Sequence, residues 1–228
     1  MKEYYKAYDD RYKTYHTEEG IAWAGDRPSY ILKDILEKHT QNKSTAEILE
    51  IGCGEGQNAL YLIKNGFNVK ASDVSSEAVA WCKKEAIKNN LNPNNFFVLD
   101  ALDNKLTNKY DIIYSISTLH MLVLDSDRTK FLDFIYEHLK ENGIAIISIM
   151  GDGINEKNTT DISKSFEKTE RHINGKTVQV ASTSCRIVNW ENFFKELKTS
   201  KLETISHTIS TEISGFNSSM IVEVRRQK

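Results

Sequence analysis

The chain has 228 residues, 30 of them basic and 32 acidic, for a formal charge of −2. At roughly 150 residues per domain this allows one domain with an appendage, and the missing basic surplus argues against a protein that coats nucleic acid, since phosphate binding needs Lys and Arg gathered on one face. The three cysteines, Cys53, Cys82 and Cys185, form no CxxC pair and no zinc-ligand spacing, so neither a disulfide framework nor a metal is expected, and the setting should be reducing and cytoplasmic.

Residues 1–28 hold five tyrosines and Trp23 among mixed charges. They lack the apolar core of a secretory signal, and no stretch of the chain approaches the roughly 18 apolar residues of a membrane span. The segment reads as one or two short helices laid over something else. From Ser29 to Met150, five apolar runs (EILEIGCG, FNVKASDV, NFFVLDAL, YDIIYSIS and GIAIISIM) alternate with segments of helical spacing. Ala78, Val79, Cys82 and Ala86 fall on one such helical stripe. Strand and helix alternating at this length predict a parallel sheet with helices on both faces.

Residues 151–188 are polar and carry Asn174-Gly175, a hairpin-turn signal between two extended stretches. NWENFFKELKTS then predicts a short amphipathic helix with Trp190, Phe193, Phe194 and Leu197 on one side. LETISHTISTEI and SMIVEVRR close the chain as two alternating strands joined through Ser214-Gly215-Phe216-Asn217. The whole reads as one domain over 1–228 in four parts: an N-terminal segment (1–28), an alternating strand-and-helix core (29–150), a polar insertion (151–188), and a helix and hairpin that complete the sheet (189–228).

The segment ILEIGCGEGQNALYL, residues 48–62, runs from a strand through Gly52, Gly54 and Gly56 into a helix. Glycines at this spacing let a ligand approach the backbone and allow positive φ. A dinucleotide fingerprint would need its third glycine where Gln57 stands, and the GxxxxGK[ST] phosphate loop is absent. Glu50, two residues before the first glycine, is ill placed beside a pyrophosphate and suits a cationic or amine-bearing ligand.

LEIGCGEG resembles the E/DxGxGxG loop of the class I S-adenosylmethionine-dependent methyltransferases. That resemblance implies a Rossmann-like, doubly wound α/β sheet of seven strands, mostly parallel with an antiparallel strand in the C-terminal hairpin. It further implies S-adenosyl-L-methionine as cofactor and S-adenosyl-L-homocysteine as product. Carried onto this chain, it gives the glycine loop (Glu50, Gly52, Cys53, Gly54, Gly56 and Asn58) the methionine part of the cofactor. Asp73 with Val74 takes the ribose, Asp100 with Ala101 the adenine, and Ser115 lies near the methionine end of the fourth strand. Asp73 taken alone also reads as a helix cap, a job that Ser75 or Ser76 can do instead. The family's Pro-Gly-Gly turn before the fifth strand is replaced by Glu141-Asn142-Gly143, which can make the same turn.

Methyl transfer needs alignment more than a fixed catalytic set. His120, in STLHML past the fourth strand, is the candidate general base or substrate contact. YDDRYKTYH and GIAWAGDRP resemble the leader of small bacterial methyltransferases, which implies that Arg27 pairs with the cofactor carboxylate and that Tyr12 and Trp23 wall the substrate pocket. A [DNS]PP[YF] motif, a Cys-Pro nucleophile and an acid cluster for metal-assisted chemistry are not apparent, so the expected acceptor is a small molecule with an N, O or S nucleophile. No nucleic-acid or membrane partner is expected, and the protein would act as monomer or homodimer. CGEGQNALYL is also similar to tellurite-resistance-type methyltransferases, which leaves metalloid or thiol detoxification as an alternative. A catalytically silent cofactor-binding regulator and a nucleotide-linked oxidoreductase are the other readings.

Overall fold

The structure is a computed structural model that describes residues 3–19, 27–103, 105–159, 161–173, 176–213 and 215–227. Helix α1 (Ala7–Lys13) widens into a π-helical turn, Thr14–Glu19, and α2 spans Tyr30–His39. Strands β1 (Ile48–Ile51), β2 (Val69–Asp73), β3 (Phe96–Val98), β4 (Tyr110–Ile116) and β5 (Leu139–Met150) follow, with α3 (Gln57–Lys64), α4 (Ser76–Lys88) and α5 (Asp125–His138) among them. The chain continues through β6 (Lys157–Asn158), β7 (Lys168–Ile173), β8 (Lys176–Ala181), β9 (Arg186–Ile187), α6 (Trp190–Thr199), β10 (Leu202–Ser210) and β11 (Ser219–Arg226).

Seven strands form one sheet in the order β10-β11-β5-β4-β1-β2-β3. β1 through β5 pair in parallel, and β11 lies between β5 and β10, antiparallel to both. Alternation along the strands splits the core in two, because successive side chains point to opposite faces. On β4, Ile112, Tyr114 and Ile116 pack with Leu32 and Leu36 of α2, Leu62 of α3 and Val79 and Cys82 of α4. Ile113, with Ala145, Ile147 and Ile149 of β5, packs on the opposite face against Phe131 and Ile135 of α5 and Phe193 and Leu197 of α6. The predicted doubly wound sheet, its antiparallel strand and the α4 stripe are all present.

Two local expectations change. No helix separates β3 from β4 among the described residues, because LDALDNKLTNKYD has Asp and Asn turn formers and no apolar stripe. The Asn142-Gly143 turn lies inside β5, as a bulge. The register runs Tyr110↔Leu139 and then Ile112↔Ile144, and a Cβ on Gly143 would come within 3.0 Å of the Tyr110 and Asp111 carbonyl oxygens. Asn174-Gly175 lies outside the described residues, although the strands on either side, β7 and β8, pair antiparallel as the turn predicts. The strand order reverses direction between β1 and β4, and in open α/β sheets ligands bind beyond the carboxyl ends at such a point.

Candidate active site

The loop after β1 sits at that switch point. Gly52, Gly54 and Gly56 have φ of +76°, +53° and +82°, a region other residues rarely adopt. A Cβ on Gly52 would lie 2.1 Å from Thr118 Oγ1, and one on Gly54 would lie 2.8 Å from Tyr12 Oη. The loop is pinned to the end of β2. The amides of Gly52 and Cys53 donate to the Ser72 carbonyl at 2.8 and 2.9 Å, and that of Gly54 donates to Asp73 Oδ2 at 2.8 Å. Asp73 Oδ1 accepts from the Ser75 amide at 2.9 Å. Ser75 caps α4 by accepting from the Ala78 amide at 3.1 Å, so the capping role belongs to Ser75 and Asp73 is left to brace the loop. Burial raises the Asp73 carboxyl to about 6, against the pull of the Ser75 and Gly54 amides.

Glu50 is buried at the root of the loop. Tyr114 Oη donates to its Oε2 at 3.0 Å, and the Asn58 side chain and Ala59 amide at the start of α3 also donate to it. Burial outweighs these donors and pushes its carboxyl up to about 8. An acid with this bonding fixes where α3 begins and favours a nearby cation, which would restore its charge.

A cavity of about 580 Å³ opens over the loop, within the usual range for small-molecule sites. Of the residues singled out in the sequence, Glu50, Gly52, Cys53, Gly54, Asn58, Asp73, Val74, Asp100, Ala101, Arg27, Tyr12 and His120 all line it. Two do not. Gly56 turns the chain beneath the loop, where a Cβ would meet Cys82 Sγ at 2.9 Å. Ser115 is wholly buried within β4, and it is Ser117 and Thr118, beyond the strand end, that reach the cavity. Trp23 lies outside the described residues.

The N-terminal segment contributes more than the sequence reading foresaw. Tyr5, Tyr8, Tyr12 and Tyr15 are all buried, and their spacing of three, four and three is a helical stripe that was there to be read. Tyr5 Oη donates to Asp100 Oδ2 at 3.1 Å, and Lys6 Nζ stands 3.3 Å from the same carboxylate. Asp9 accepts from Ser75 Oγ at 2.6 Å and from the Glu77 amide at 3.2 Å, adding a second cap to α4. Tyr8 Oη donates to the Ser184 carbonyl at 3.1 Å and Arg11 Nε to the Ala181 carbonyl at 2.9 Å, tying α1 to the 151–188 insertion, which the methyltransferase resemblance implies is a substrate cover. His16 bonds Glu55 at 2.8 Å and stacks on Trp81 with ring centroids 4.2 Å apart. The fold also assembles an acid cluster that sequence reading missed, Glu3, Asp100 and Asp103, with Lys6 paired to Glu3 and to Asp100.

On the far side, His120 sits buried on the 3-10 turn Leu119–Met121. The Met150 amide donates to its Nδ1 at 3.3 Å, which leaves the ring proton on Nε2. Burial, with Arg128 nearby, lowers its pKa to about 3. A free imidazole titrates near 6.5 and could serve as a base, whereas here the environment keeps the ring neutral, with Nε2–H as a donor. Arg128, itself wholly buried, donates to the Leu119 carbonyl at 2.7 Å and grips Glu196 of α6 at 2.9 and 2.6 Å, so it clamps the turn that carries His120. Ser117 has φ of +61°, and its buried Oγ has no hydrogen-bond partner among the described residues. Phe216 stands edge-on to His120 at 5.2 Å and separates this cavity from a second one lined by Asp152, Asn155 and Glu156.

Residues 48–143 match the protein family described as a methyltransferase domain. A ubiquinone biosynthesis O-methyltransferase of Rickettsia akari is 30% identical over 123 residues, covering 54% of this chain and 47% of its own. The chain spans about half the length of the curated relatives it matches. Among solved structures, the CcbJ methyltransferase of Streptomyces caelestis superposes with a TM-score of 0.73 at 14% identity, over 96% of this chain and 99% of its own. The 1,6-didemethyltoxoflavin-N1-methyltransferase of Burkholderia thailandensis, bound to 1,6-didemethyltoxoflavin and S-adenosylhomocysteine, gives 0.71 at 13% identity, over 99% and 89%. These likenesses show a shared fold. No helix among the described residues is long and apolar enough to cross a membrane.

Proposed function

We propose that the protein transfers a methyl group from S-adenosyl-L-methionine to a small-molecule acceptor, a reading supported by the glycine-loop pattern, the match of residues 48–143 to a methyltransferase domain and the shared fold. The observation that carries this reading is the loop itself. Positive-φ glycines leave the backbone open beside a buried Asp73 that is braced against Gly54, and the cavity above runs on to His120. The residues fit the cofactor: a bare backbone for its methionine chain, Asp73 for its ribose, Asp100 and Ala101 for its base, and Arg27 for its carboxylate.

When bound, the cofactor supplies an electrophilic methyl on a positively charged sulfur. Everything else asked of the chain is alignment and exclusion of water. Glu50 and Asp73 bring negative charge to the cofactor end. Tyr12 and the helical segment 4–19 cover it, the role we assign to residues 1–28. His120 Nε2–H and the Ser117 hydroxyl are the groups we assign to orienting the acceptor, which narrows the expectation for His120 to a substrate contact. The relatives include enzymes named for O-methylation and for N1-methylation of a small heterocycle, in keeping with a small-molecule acceptor. The metalloid or thiol alternative rests on CGEGQNALYL alone, and nothing in the cavity adds to it.

Calorimetry should show S-adenosylhomocysteine binding at micromolar concentration and no binding of NAD. Labelled methyl groups should then pass from the cofactor to a member of a panel of phenols, amines and thiols. Binding of NAD instead would return the protein to the oxidoreductase reading, and tight cofactor binding with no turnover of any acceptor would favour the silent regulator.

A further inference from the structure

Four carboxylates line the cavity, Glu50, Glu55, Asp73 and Asp100, and the structure accounts for each. Glu50 is bonded by Tyr114, Glu55 by His16, Asp73 by two backbone amides, and Asp100 by Tyr5 with Lys6 alongside. Two arginines also line it, Arg27 and Arg171. Arg27 lies two residues before Ser29, whose amide donates to Asn58 Oδ1 at 2.8 Å, so it belongs to the glycine-loop end. Arg171 belongs to the cover, on β7, and the proposed chemistry gives it no task.

Its placement follows from strand register. Arg171 pairs with Val178 across the hairpin, and directly opposed residues share a face. Val178 and Val180 are buried against Tyr15, so that face is the one turned to the body of the protein. Glu170, the next residue along, accepts from Gln179 Nε2 at 3.0 Å on the exposed face. Arg171 thus shares a strand face with Val178, Val180 and Thr169, and its side chain is exposed at the rim of the cavity. Its charge is felt by Arg11 and by Tyr15, and Arg11 is already engaged with the Ala181 carbonyl. Among the described residues no carboxylate pairs with Arg171. A cation on a cavity wall, paired with no acid among the described residues, is suited to an acid brought by a ligand.

Resting on the methyltransferase reading, we propose that Arg171 is an acceptor-binding residue and that the acceptor carries a carboxylate, held by the guanidinium at the mouth of the cavity while its nucleophilic atom reaches toward His120. One guanidinium balances one negative charge and its planar fork matches a carboxylate. A phosphate monoester, with up to two charges, would call for further cations or a helix N-terminus, and Arg11, the cation that feels Arg171, is already engaged with the Ala181 carbonyl.

The test uses the full chain saturated with S-adenosylhomocysteine and a panel of hydroxy- and aminobenzoates, each paired with its methyl ester, with affinities read by ligand-observed NMR. At least one acid should bind ~10-fold or more tightly than its ester. Arg171→Gln should abolish that preference while leaving the ester and the cofactor unchanged; Arg171→Lys should retain part of it, and Glu170→Gln all of it. A panel with no acid preferred over its ester overturns the proposal, as does a preference that survives in Arg171→Gln or a stronger response to phenyl phosphate. Weakened cofactor binding in Arg171→Gln would assign the guanidinium to the cofactor's own carboxylate and likewise overturn it. Failure of S-adenosylhomocysteine to bind the unaltered protein would instead strike at the methyltransferase reading itself.

Discussion

The two walls of the cavity are built by different physics. The wall assigned above to the cofactor is short-range: residues 50–58 and 72–75 meet through backbone geometry, held by glycine φ values and amide bonds to Ser72 and Asp73. The wall assigned to the acceptor is long-range. Tyr8 meets Ser184, Arg11 meets Ala181, and Arg128 reaches Glu196 across 68 positions of sequence. A wall held by its own backbone is rigid and tolerates few substitutions. One held by side chains from distant segments can be changed piece by piece, so new ligands are accommodated there without rebuilding the fold.

If that difference is real, the acceptor wall should be disruptable without loss of the cofactor wall, and Arg128 is the severest case. Arg128→Met strands Glu196 and two carbonyls that now accept from the guanidinium. Breaking a buried pair typically costs 3–5 kcal/mol; with Glu196 18% exposed and Arg186 still 3.6 Å away, about 3 kcal/mol is expected. In a chain of this size that is a fall in Tm of roughly 6–12 °C. S-adenosylhomocysteine affinity in the surviving folded protein should stay within about threefold of the original, and a proportionate loss would show that the two walls are one unit.

Gly54 probes the seam between the walls. Gly54→Ala puts a methyl group where Tyr12 Oη stands 2.8 Å away, in addition to the strain of φ near +53°. Cofactor affinity should fall by about 30-fold, about 2 kcal/mol. Adding Tyr12→Phe removes the obstructing oxygen and should recover part of that loss. Calorimetry on the two variants and the double variant measures the coupling, and strictly additive losses would mean that Tyr12 does not rest on the loop when cofactor is bound.

The same contrast explains what could be read from the sequence. The glycine loop, Asp73 and the alternation of strand and helix were legible because local backbone constraint leaves a residue signature at fixed spacing. Ser115, carried over from the family resemblance, is buried inside β4, and the register shows that Ser117 is the first residue beyond the strand. His120 was found, but its protonation was not, because the Met150 amide and Arg128 come from β5 and α5. The tyrosine stripe on residues 5–15 was periodic and still unread, since its partners Asp100, Ser184 and the glycine loop lie 40 to 180 positions away.

On the acceptor side, His120→Phe should lower turnover about 10-fold, a typical consequence of losing one positioned donor, and leave cofactor affinity unchanged. The unaltered enzyme should show no limb between pH 6 and 8 that is lost in the variant, because the imidazole stays neutral down to about pH 3. A limb near 6.5 that disappears with His120 would restore it as a general base.

The smallest effect separates the walls by charge. Glu50, with its carboxyl raised to about 8 by burial, keeps its proton at neutral pH in the free protein, whereas in the unfolded chain it loses it near 4.5. Between these values the folded state binds more protons, so stability must fall as pH rises from about 4.5 to 8 and level off beyond. A cationic cofactor favours the carboxylate and lowers that pKa, so binding at pH 7 should release up to one proton and tighten by less than about 10-fold per pH unit. Enthalpies of cofactor binding in buffers of different ionisation heat count the protons. Glu50→Gln keeps the shape and removes the titration: its stability should lack the downward slope, and its binding should release fewer protons. An unchanged proton count in that variant would place the titrating group elsewhere, with Asp73, held at about 6, as the next carboxylate to replace.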